Sequence, residues 1–161
     1  MVATFGTDIN YFLDSDAVSS ALLNPDKLRP DIAKLVKDVE AKYLKAFPKA
    51  TELPVHVSVG FNSTWVFLTD VLPRAIKKHG GISADALRQA ALETDIADGN
   101  TFAGYGVKFY PPEHEMAGQN MRSTPVVWQY VDGKSKVVFP TSVASQEPVL
   151  PLPPNSPYGA R

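Results

Sequence analysis

The run LPVHVSVGFNSTWVF, residues 53–67, decides how this chain can fold. It opens a predicted helix from about Val57 to Lys78 whose apolar side chains cover nearly every side. Such a helix is buried on most of its surface. Pro73 lacks a backbone N–H and is expected to kink it, and HGG at residues 79–81 is expected to end it. We therefore expect the other elements to pack around this one helix.

Two shorter helices are predicted on either side of the central one. The apolar residues between Pro30 and Pro48 recur at helical spacing, and both prolines suit the ends of a helix. Ser83 is a good N-cap for a short helix through residues 84–94. Together with the central helix, these segments predict three helices in a row.

Strand patterns lie outside the three helices. Residues 2–12 are predicted to begin with a strand, and YGVKFYP at 105–111 alternates as a strand does. Residues 125–140 predict a β-hairpin with Asp132-Gly133 at its tip. The pattern is that of an α/β fold with few strands, and so small a sheet cannot cover the apolar central helix. We therefore expect a companion surface that this sequence does not encode.

Residues 146–161 form a separate segment by composition. Five prolines within it exclude a helix, because each proline lacks the N–H and restricts the residue before it. We expect an extended strap here, lying across a body formed by residues 1–145.

Composition excludes several classes of function. The formal net charge of −1 offers no electrostatic attraction to nucleic acid or to an anionic membrane. The absence of cysteine excludes disulfides and thiolate chemistry. Residues 53–72 are apolar but are broken by His56, Asn62 and Asp70, so they are too polar for a membrane span. The segment MVATFGTDINYF lacks the basic region and cleavage site of a secretory signal peptide.

Four segments of the chain carry a resemblance to a known family. The first contains the small-aromatic step Gly60-Phe61 and a long helix that ends in glycine, and the last ends on Pro140. Their order resembles the carboxyl-terminal portion of type I periplasmic solute-binding proteins, the branched-chain amino-acid (Leu/Ile/Val-binding) family of ABC transporters. The segments are FPKATELPVHVSVGFNSTWVFLTDVLPRAIKKHGG (47–81), ISADALRQAALETD (82–95), TFAGYGVKFYPPEHEMAGQN (101–120) and VVWQYVDGKSKVVFP (126–140).

The resemblance implies a two-lobed fold and a function in binding rather than catalysis. In that family two α/β lobes, joined by three crossovers, close on a ligand in the cleft, and the closed form docks on an ABC permease in the periplasm. The implied ligand is an amino acid or a small aromatic or aliphatic carboxylate, with no cofactor and no metal. The family's amino-terminal lobe has no counterpart in this sequence, so we expect a fragment that supplies one wall of the cleft.

The resemblance places His56 at the cleft, with Ser58 and Asn62 as further candidate ligand contacts. A histidine at the amino end of a helix can donate a hydrogen bond to a carboxylate, and the helix dipole adds a small field that favours an anion. The alternative is an ordinary interior histidine bonded to a backbone carbonyl. Both interpretations stay open on the sequence.

A hinge or crossover role is implied for Gly118, Gln119, Asn120 and Trp128. Trp128 and Tyr130 lie two residues apart on the predicted closing strand and so share one face. The simpler interpretation is that these two aromatics pack in the core. The alternative is that they form a contact at the crossover between the lobes.

Two other classes of function compete with the binding role. Exposed apolar faces of a partial fold favour an assembly piece that self-associates or complements a missing half. An enzyme would use His56 or His114, but no nucleophile motif accompanies either one. His114 stands between Glu113 and Glu115 without the second cluster that a metal site needs, so a solvated turn is the better interpretation.

Overall fold

A computed structural model of the chain describes residues 2–17 and 19–158. It combines helices with a small sheet, as expected for an α/β fragment. The α-helices are α1 (Val2–Phe5), α2 (Pro30–Ala46), α3 (Val55–Val66), α4 (Leu72–His79) and α5 (Ala84–Leu92), and the strands are β1 (Leu13–Asp16), β2 (Val126–Val131) and β3 (Lys134–Phe139). A π-helical turn joins α3 to α4 at Phe67–Val71, and 3-10 turns occupy Gly6–Ile9, Ser20–Leu22 and Pro25–Lys27.

The central helix forms as predicted and runs from α3 through the π turn into α4. The π turn stands directly before Leu72-Pro73, so the helix changes its winding where Pro73 removes a backbone donor. Gly80 ends the helix with a φ of 77°, in the left-handed region, and the Gly81 N–H donates to the Ala75 carbonyl at 3.2 Å. The predicted stop at residues 79–81 is therefore confirmed, and the irregularity expected at Pro73 takes the form of a π turn.

The burial of this helix differs from the prediction. Ser58, Asn62 and Val66 are buried at a spacing of four residues and form its inner face. On its outer side Leu68 is 53% and Ile76 is 54% exposed, and Val59 and Phe67 are exposed as well. The prediction that the helix is buried on most sides is wrong for this chain, because the elements packed on it cover only one face. Among the described residues no helix combines the length and apolarity needed to cross a membrane.

Two predicted helices pack beside the central one. Helix α2 buries Ile32 and Val36 in a core that also contains Leu53, Phe102 and Val137. Helix α5 packs on α4 in a second, smaller cluster built on alanines. Its N-cap is confirmed, because the Ser83 hydroxyl accepts the Ala86 N–H at 3.2 Å.

The predicted hairpin is formed by β2 and β3. Asp132 and Gly133 form the two-residue turn with φ values of 51° and 73°, which is why a glycine and an aspartate suit this tip. Strand β2 pairs antiparallel with β1 as well, so the sheet order is β1-β2-β3. The face that carries Val126 and Val137 packs into the main core.

Two strand predictions are wrong. Residues 2–9 form α1 and a 3-10 turn, and the strand lies later, at Leu13–Asp16, where it pairs with β2. A strand needs a partner edge, and β2 offers its edge only to residues 13–16. Residues 105–111 form isolated bridges at Val107 and Phe109 instead of a strand, because they meet short loop segments and not another strand.

The proline-rich segment lies against the sheet over its described part, and residues 159–161 of the predicted strap lie outside the described residues. Residues 146–158 contain no helix or strand. The side chain of Gln129, which is 0% exposed, accepts the Val149 N–H at 2.8 Å and donates to the Val149 carbonyl at 3.3 Å. Further along, the Tyr158 hydroxyl donates to the Asp8 carbonyl at 2.6 Å. The buried side-chain amide of Gln129 therefore bonds the proline-rich segment to the sheet, in place of the backbone hydrogen bonds that its prolines cannot donate.

Candidate functional site

A groove of about 370 Å³ lies where the segment before α3 crosses the sheet. It joins acidic, aromatic and apolar side chains and contains His56, so we call it the His56 groove. Its lining residues are Asp14, Asp16, Ala17, Ser19, Leu22, Glu52, Leu53, Val55, His56, Trp128, Tyr130 and Ser135.

Strand register and one proline bring these side chains together. Asp14 pairs with Trp128 across β1 and β2, and Tyr130 pairs with Ser135 across β2 and β3. Residues that are directly opposite, or two apart, point to the same face of a sheet. Pro54 stands at the N-cap of α3, so the first helical turn places His56, which is exposed, at the rim.

The electrostatics of the groove are acidic. Asp14, Asp16 and Glu52 line it, whereas no lysine or arginine does. Asp14 accepts the Ser15 N–H at 2.8 Å and Asp16 accepts the Ala17 N–H at 2.7 Å, which leaves acceptor sites on both carboxylates. In the described part of the chain none of the three forms an ion pair. With Trp128 and Tyr130 beside them, they can hold an ammonium group that is attached to an apolar body.

The three predicted ligand contacts do not meet. His56 opens into the groove and makes no hydrogen bond to any described residue, so the interior-histidine alternative is wrong. Ser58 is 1% exposed, and its hydroxyl accepts the Ser20 N–H at 3.0 Å, which ties α3 to the preceding 3-10 turn. Asn62 is 4% exposed and lines a different cavity. A single ligand shared by all three stays a prediction.

The second cavity, of about 410 Å³, lies on the other side of α3. It is bordered by α3, the π turn, α5 and the loop of residues 105–123 and is open to solvent on one side, and we call it the helical cavity. Its lining residues are Asn62, Ser63, Val66, Phe67, Val71, Leu87, Ala91, Tyr105, Val107, Phe109, Asn120 and Ser123.

The predicted hinge residues occupy two places. Gly118 has a φ of 78° and belongs to a turn in which the Gln119 carbonyl accepts the Tyr110 N–H at 3.0 Å. Asn120 organises the same loop, because its Oδ1 accepts the Lys108 N–H at 2.9 Å and its Nδ2 donates to the Gly106 carbonyl at 2.9 Å. Trp128 lies apart from them, in the His56 groove. A hinge role for the four together stays a prediction.

The sequence analysis missed the acidic residues of the groove. Asp14 and Asp16 alternate with Leu13 and Ser15, which is the period of a strand with one polar face. That signal was present, but the predicted strand was placed several residues too early. Glu52 carries no such signal, since only the fold brings it to the groove.

His114 lies in an exposed turn, as predicted. Its ring stacks on Tyr110 with centroids 4.3 Å apart, and its Nδ1 accepts the Met116 N–H at 3.0 Å. Within residues 2–17 and 19–158, no three histidine, aspartate or glutamate side chains are placed to hold a metal ion.

Comparison with known proteins gives partial matches to binding proteins. No protein-family model matches the chain. The chain is 35% identical over 92 residues to Leu/Ile/Val-binding protein homolog 7 of Brucella abortus (strain 2308), which is 57% of this chain and 22% of that protein. It is 37% identical over 81 residues to homolog 7 of Brucella suis biovar 1 (strain 1330), covering 50% of this chain and 19% of that protein.

A third relative is Leu/Ile/Val-binding protein homolog 8 of Brucella abortus (strain 2308), 38% identical over 71 residues, or 44% of this chain and 16% of that protein. The chain thus spans about a fifth of the length of the curated relatives it matches. All three are named as binding proteins and not as enzymes. Together these matches support a distant link between this chain and the periplasmic binding-protein family.

Proposed function

We propose that this chain is one wall of a solute-binding protein that captures an amino acid for an ABC importer. The observation that carries the proposal is the His56 groove, where three carboxylates, an imidazole and two aromatic rings share one open concavity. The partial similarity to proteins named for binding leucine, isoleucine and valine supports the same ligand class.

Each part of an amino acid has a partner in the groove. The ammonium group would lie against the carboxylates of Asp14 and Asp16, and the apolar side chain against Trp128. His56 would donate to the ligand carboxylate at the amino end of α3, where the helix dipole favours an anion. Ser58 would act indirectly, since it holds Ser20 next to the groove residue Ser19.

The groove needs a second wall. It is open on one side, so it buries only part of a ligand, whereas small-molecule sites bury most of the ligand surface. Capture would come from closure of two lobes, in which ligand contacts stabilise a closed state that is already accessible. Gly118, Gln119 and Asn120 would lie near a crossover between the two lobes. The environment of Trp128 would change when the lobes close. The whole protein would work in the periplasm and deliver its ligand to a permease.

A chimera tests this proposal. Residues 13–139 of this chain, which include every residue that lines the groove, replace the segment of Brucella abortus homolog 7 that contains the 92-residue match, and amino-acid binding is measured by isothermal titration calorimetry. We expect the chimera to bind an aliphatic or aromatic amino acid that the parent binds, and Trp128→Ala to weaken it. A folded chimera that binds none of the parent's ligands would contradict the proposal.

The isolated chain provides the complementary test. We expect no thermal shift with leucine, phenylalanine or benzoate, because half of the ligand's buried surface is missing. A shift at micromolar ligand would show that the chain binds without a companion and would contradict the one-wall arrangement.

An assembly function is the second candidate, and the exposed apolar side of α3 and α4 favours it. Phe67 and Leu68 lie there together with Ile76, and exposed apolar patches mark interaction sites. Light scattering separates the two functions. A monomer at high concentration contradicts self-association, whereas a dimer that dissociates on Leu68→Glu supports it.

A further inference from the structure

The helical cavity contains a buried amide with one unused donor. The Oδ1 of Asn62 accepts the Ala103 N–H at 3.0 Å, and this bond fixes which side-chain atom is the oxygen. The Nδ2 on the opposite side of the amide makes no hydrogen bond to any residue the structure describes, and it is not one of the fully buried polar atoms that lack a partner, so it is accessible from the cavity that Asn62 lines. This accessible donor can therefore bond an acceptor on a molecule that enters the cavity.

Most of the remaining surface of the cavity is apolar and none of it is charged, while Ser63, Asn120 and Ser123 add polar groups at its border. No lysine, arginine, histidine, aspartate or glutamate is among its lining residues. An ionised group placed there would lose part of its hydration without gaining an oppositely charged partner, which is unfavourable. The apolar wall is built from aliphatic and aromatic side chains of α3, the π turn, α5 and the loop of residues 105–123: Val66, Phe67, Val71, Leu87, Val107 and Phe109.

Tyr105 offers a second donor, at the boundary between this cavity and a smaller one lined by Gly104 and Val143. Tyr105 lines the cavity, and its hydroxyl makes no hydrogen bond within the described residues. Burial raises the pKa of Tyr105, so the hydroxyl keeps its proton at neutral pH and can donate. The Asn62 amide and the Tyr105 hydroxyl, beside a mostly apolar wall, are complementary to an apolar ligand that carries one hydrogen-bond acceptor.

The cavity is held open by polar bracing outside it. Arg74 in α4 donates to Asp70 and to the Ala90 carbonyl at 2.8 Å, and the Thr94 hydroxyl donates to Asp70 at 2.8 Å. These bonds fasten the π turn and α4 to α5. Asn120 holds the opposite loop through its bonds to Lys108 and Gly106. Ligand sites are usually preformed in this way.

We propose that the helical cavity binds a small neutral molecule with an apolar body and one hydrogen-bond acceptor, which Asn62 Nδ2 and the Tyr105 hydroxyl hold. The volume of about 410 Å³ exceeds the roughly 150 Å³ that suffices for benzene, so a ring with a carbonyl substituent fits. This site is distinct from the His56 groove and does not depend on the function proposed above.

Benzamide is the probe, and nuclear magnetic resonance titration of the full chain is the measurement. We expect saturable shifts confined to the helical cavity, at Leu87 and Val107, and none at Trp128. Toluene, which has no acceptor, binds more weakly, and benzoate and leucine do not bind there. Equal binding of benzoate and benzamide, or no shift with benzamide, overturns the proposal.

Two substitutions locate the contacts. Asn62→Asp keeps the acceptor for the Ala103 N–H but removes the donor, and we expect it to lower benzamide affinity about tenfold while leaving toluene affinity nearly unchanged. An unchanged benzamide affinity overturns the role of Asn62. The matched control is Thr64→Ala, because Thr64 lies outside the cavity and its hydroxyl donates to the Gly60 carbonyl of its own helix.

Filling the cavity provides a test that does not rely on the amide. Ala91→Leu on α5 is expected to abolish binding of both benzamide and toluene, since the added side chain occupies their space. Gln89→Leu changes an exposed residue of the same helix outside the cavity and is expected to leave both affinities as they were. Binding that survives Ala91→Leu in a folded protein places the probe elsewhere and overturns the proposal.

Discussion

The His56 groove and the helical cavity have similar size and opposite chemistry. The groove, about 370 Å³, carries three carboxylates and an imidazole, whereas the cavity, about 410 Å³, carries no charge. The sheet builds the groove from alternating residues, so polar and aromatic side chains share its face. Helices build the cavity from residues spaced three and four apart, so apolar side chains collect there. One helix, α3, separates two sites that suit different ligands.

The largest expected effect comes from the core that both sites share. Phe102 is fully buried, and its ring contacts Phe61 of α3 at a centroid distance of 4.5 Å. Phe102→Ala is expected to lower the free energy of unfolding by about 3–5 kcal/mol, the usual cost of a large cavity. Urea denaturation measures it, with the exposed Phe5→Ala as the control. If the loss is under 1 kcal/mol, the two sites do not depend on one core.

The next effect should separate the sheet side from the helical side. Gln129→Ala removes the amide that bonds the strap at Val149, leaving buried backbone groups unpaired. We expect a loss of about 1–3 kcal/mol in the free energy of unfolding. Hydrogen exchange should accelerate in β2 and the strap more than in α5. Gln119→Ala, at an exposed position, is the control. Equal acceleration in α5 would mean that the two sides unfold as one unit.

The charge difference between the two sites gives a smaller effect. We expect leucinamide to bind the groove only at millimolar concentration, and replacing Asp14 and Asp16 together by asparagine should weaken that binding severalfold, because exposed charge pairs contribute about 0.2–1 kcal/mol each. Benzamide binding in the helical cavity should not change. The control is Asp85→Asn on α5. Leucinamide binding is measured by nuclear magnetic resonance from the signals of Trp128. If the double substitution leaves the affinity unchanged, the carboxylates do not hold the cation.

The smallest expected effect is on the loss of stability at acidic pH. Lys108 and Arg122 donate to Asp95 and lower the pKa of its carboxyl below the usual value. A carboxyl whose pKa is lower in the folded protein stabilises the fold above its unfolded pKa, near 4, and this contribution is lost as pH falls through the folded pKa. Asp95→Asn should therefore flatten the fall in melting temperature between neutral pH and about pH 3.

Asp95 and its partners Lys108 and Arg122 lie near the helical cavity. Asp95 fastens the loop that carries Val107 and Asn120, so acid should loosen the cavity before the groove. Melting curves of Asp85→Asn provide the matched control, because Asp85 is an exposed acid on the same side of the molecule. A steeper loss of structure around Trp128 would reverse the expected order.

Local sequence patterns predicted most of the elements. The central helix, its stop at Gly80, the Ser83 cap and the Asp132-Gly133 turn follow from residues that contact their own neighbours in the chain. The resemblance placed His56 at a cleft; the side chain is exposed at the rim of the groove, and its role in a ligand cleft stays a prediction. By contrast, the first strand was placed too early, because pairing with β2 and not local preference decides where β1 begins.

Contacts between residues far apart in the sequence could not be predicted from local patterns. The separation of His56 from Asn62 arises because α3 turns one residue toward the sheet and the other toward α5. Asp14 and Glu52 meet in the groove although 38 positions separate them in the chain, and Asn62 bonds a backbone N–H at residue 103. Helix propensity, capping and turn chemistry act within a few residues, so the sequence specifies the elements. Packing and strand register act across the whole chain, so only the tertiary structure decides which side chains share a site.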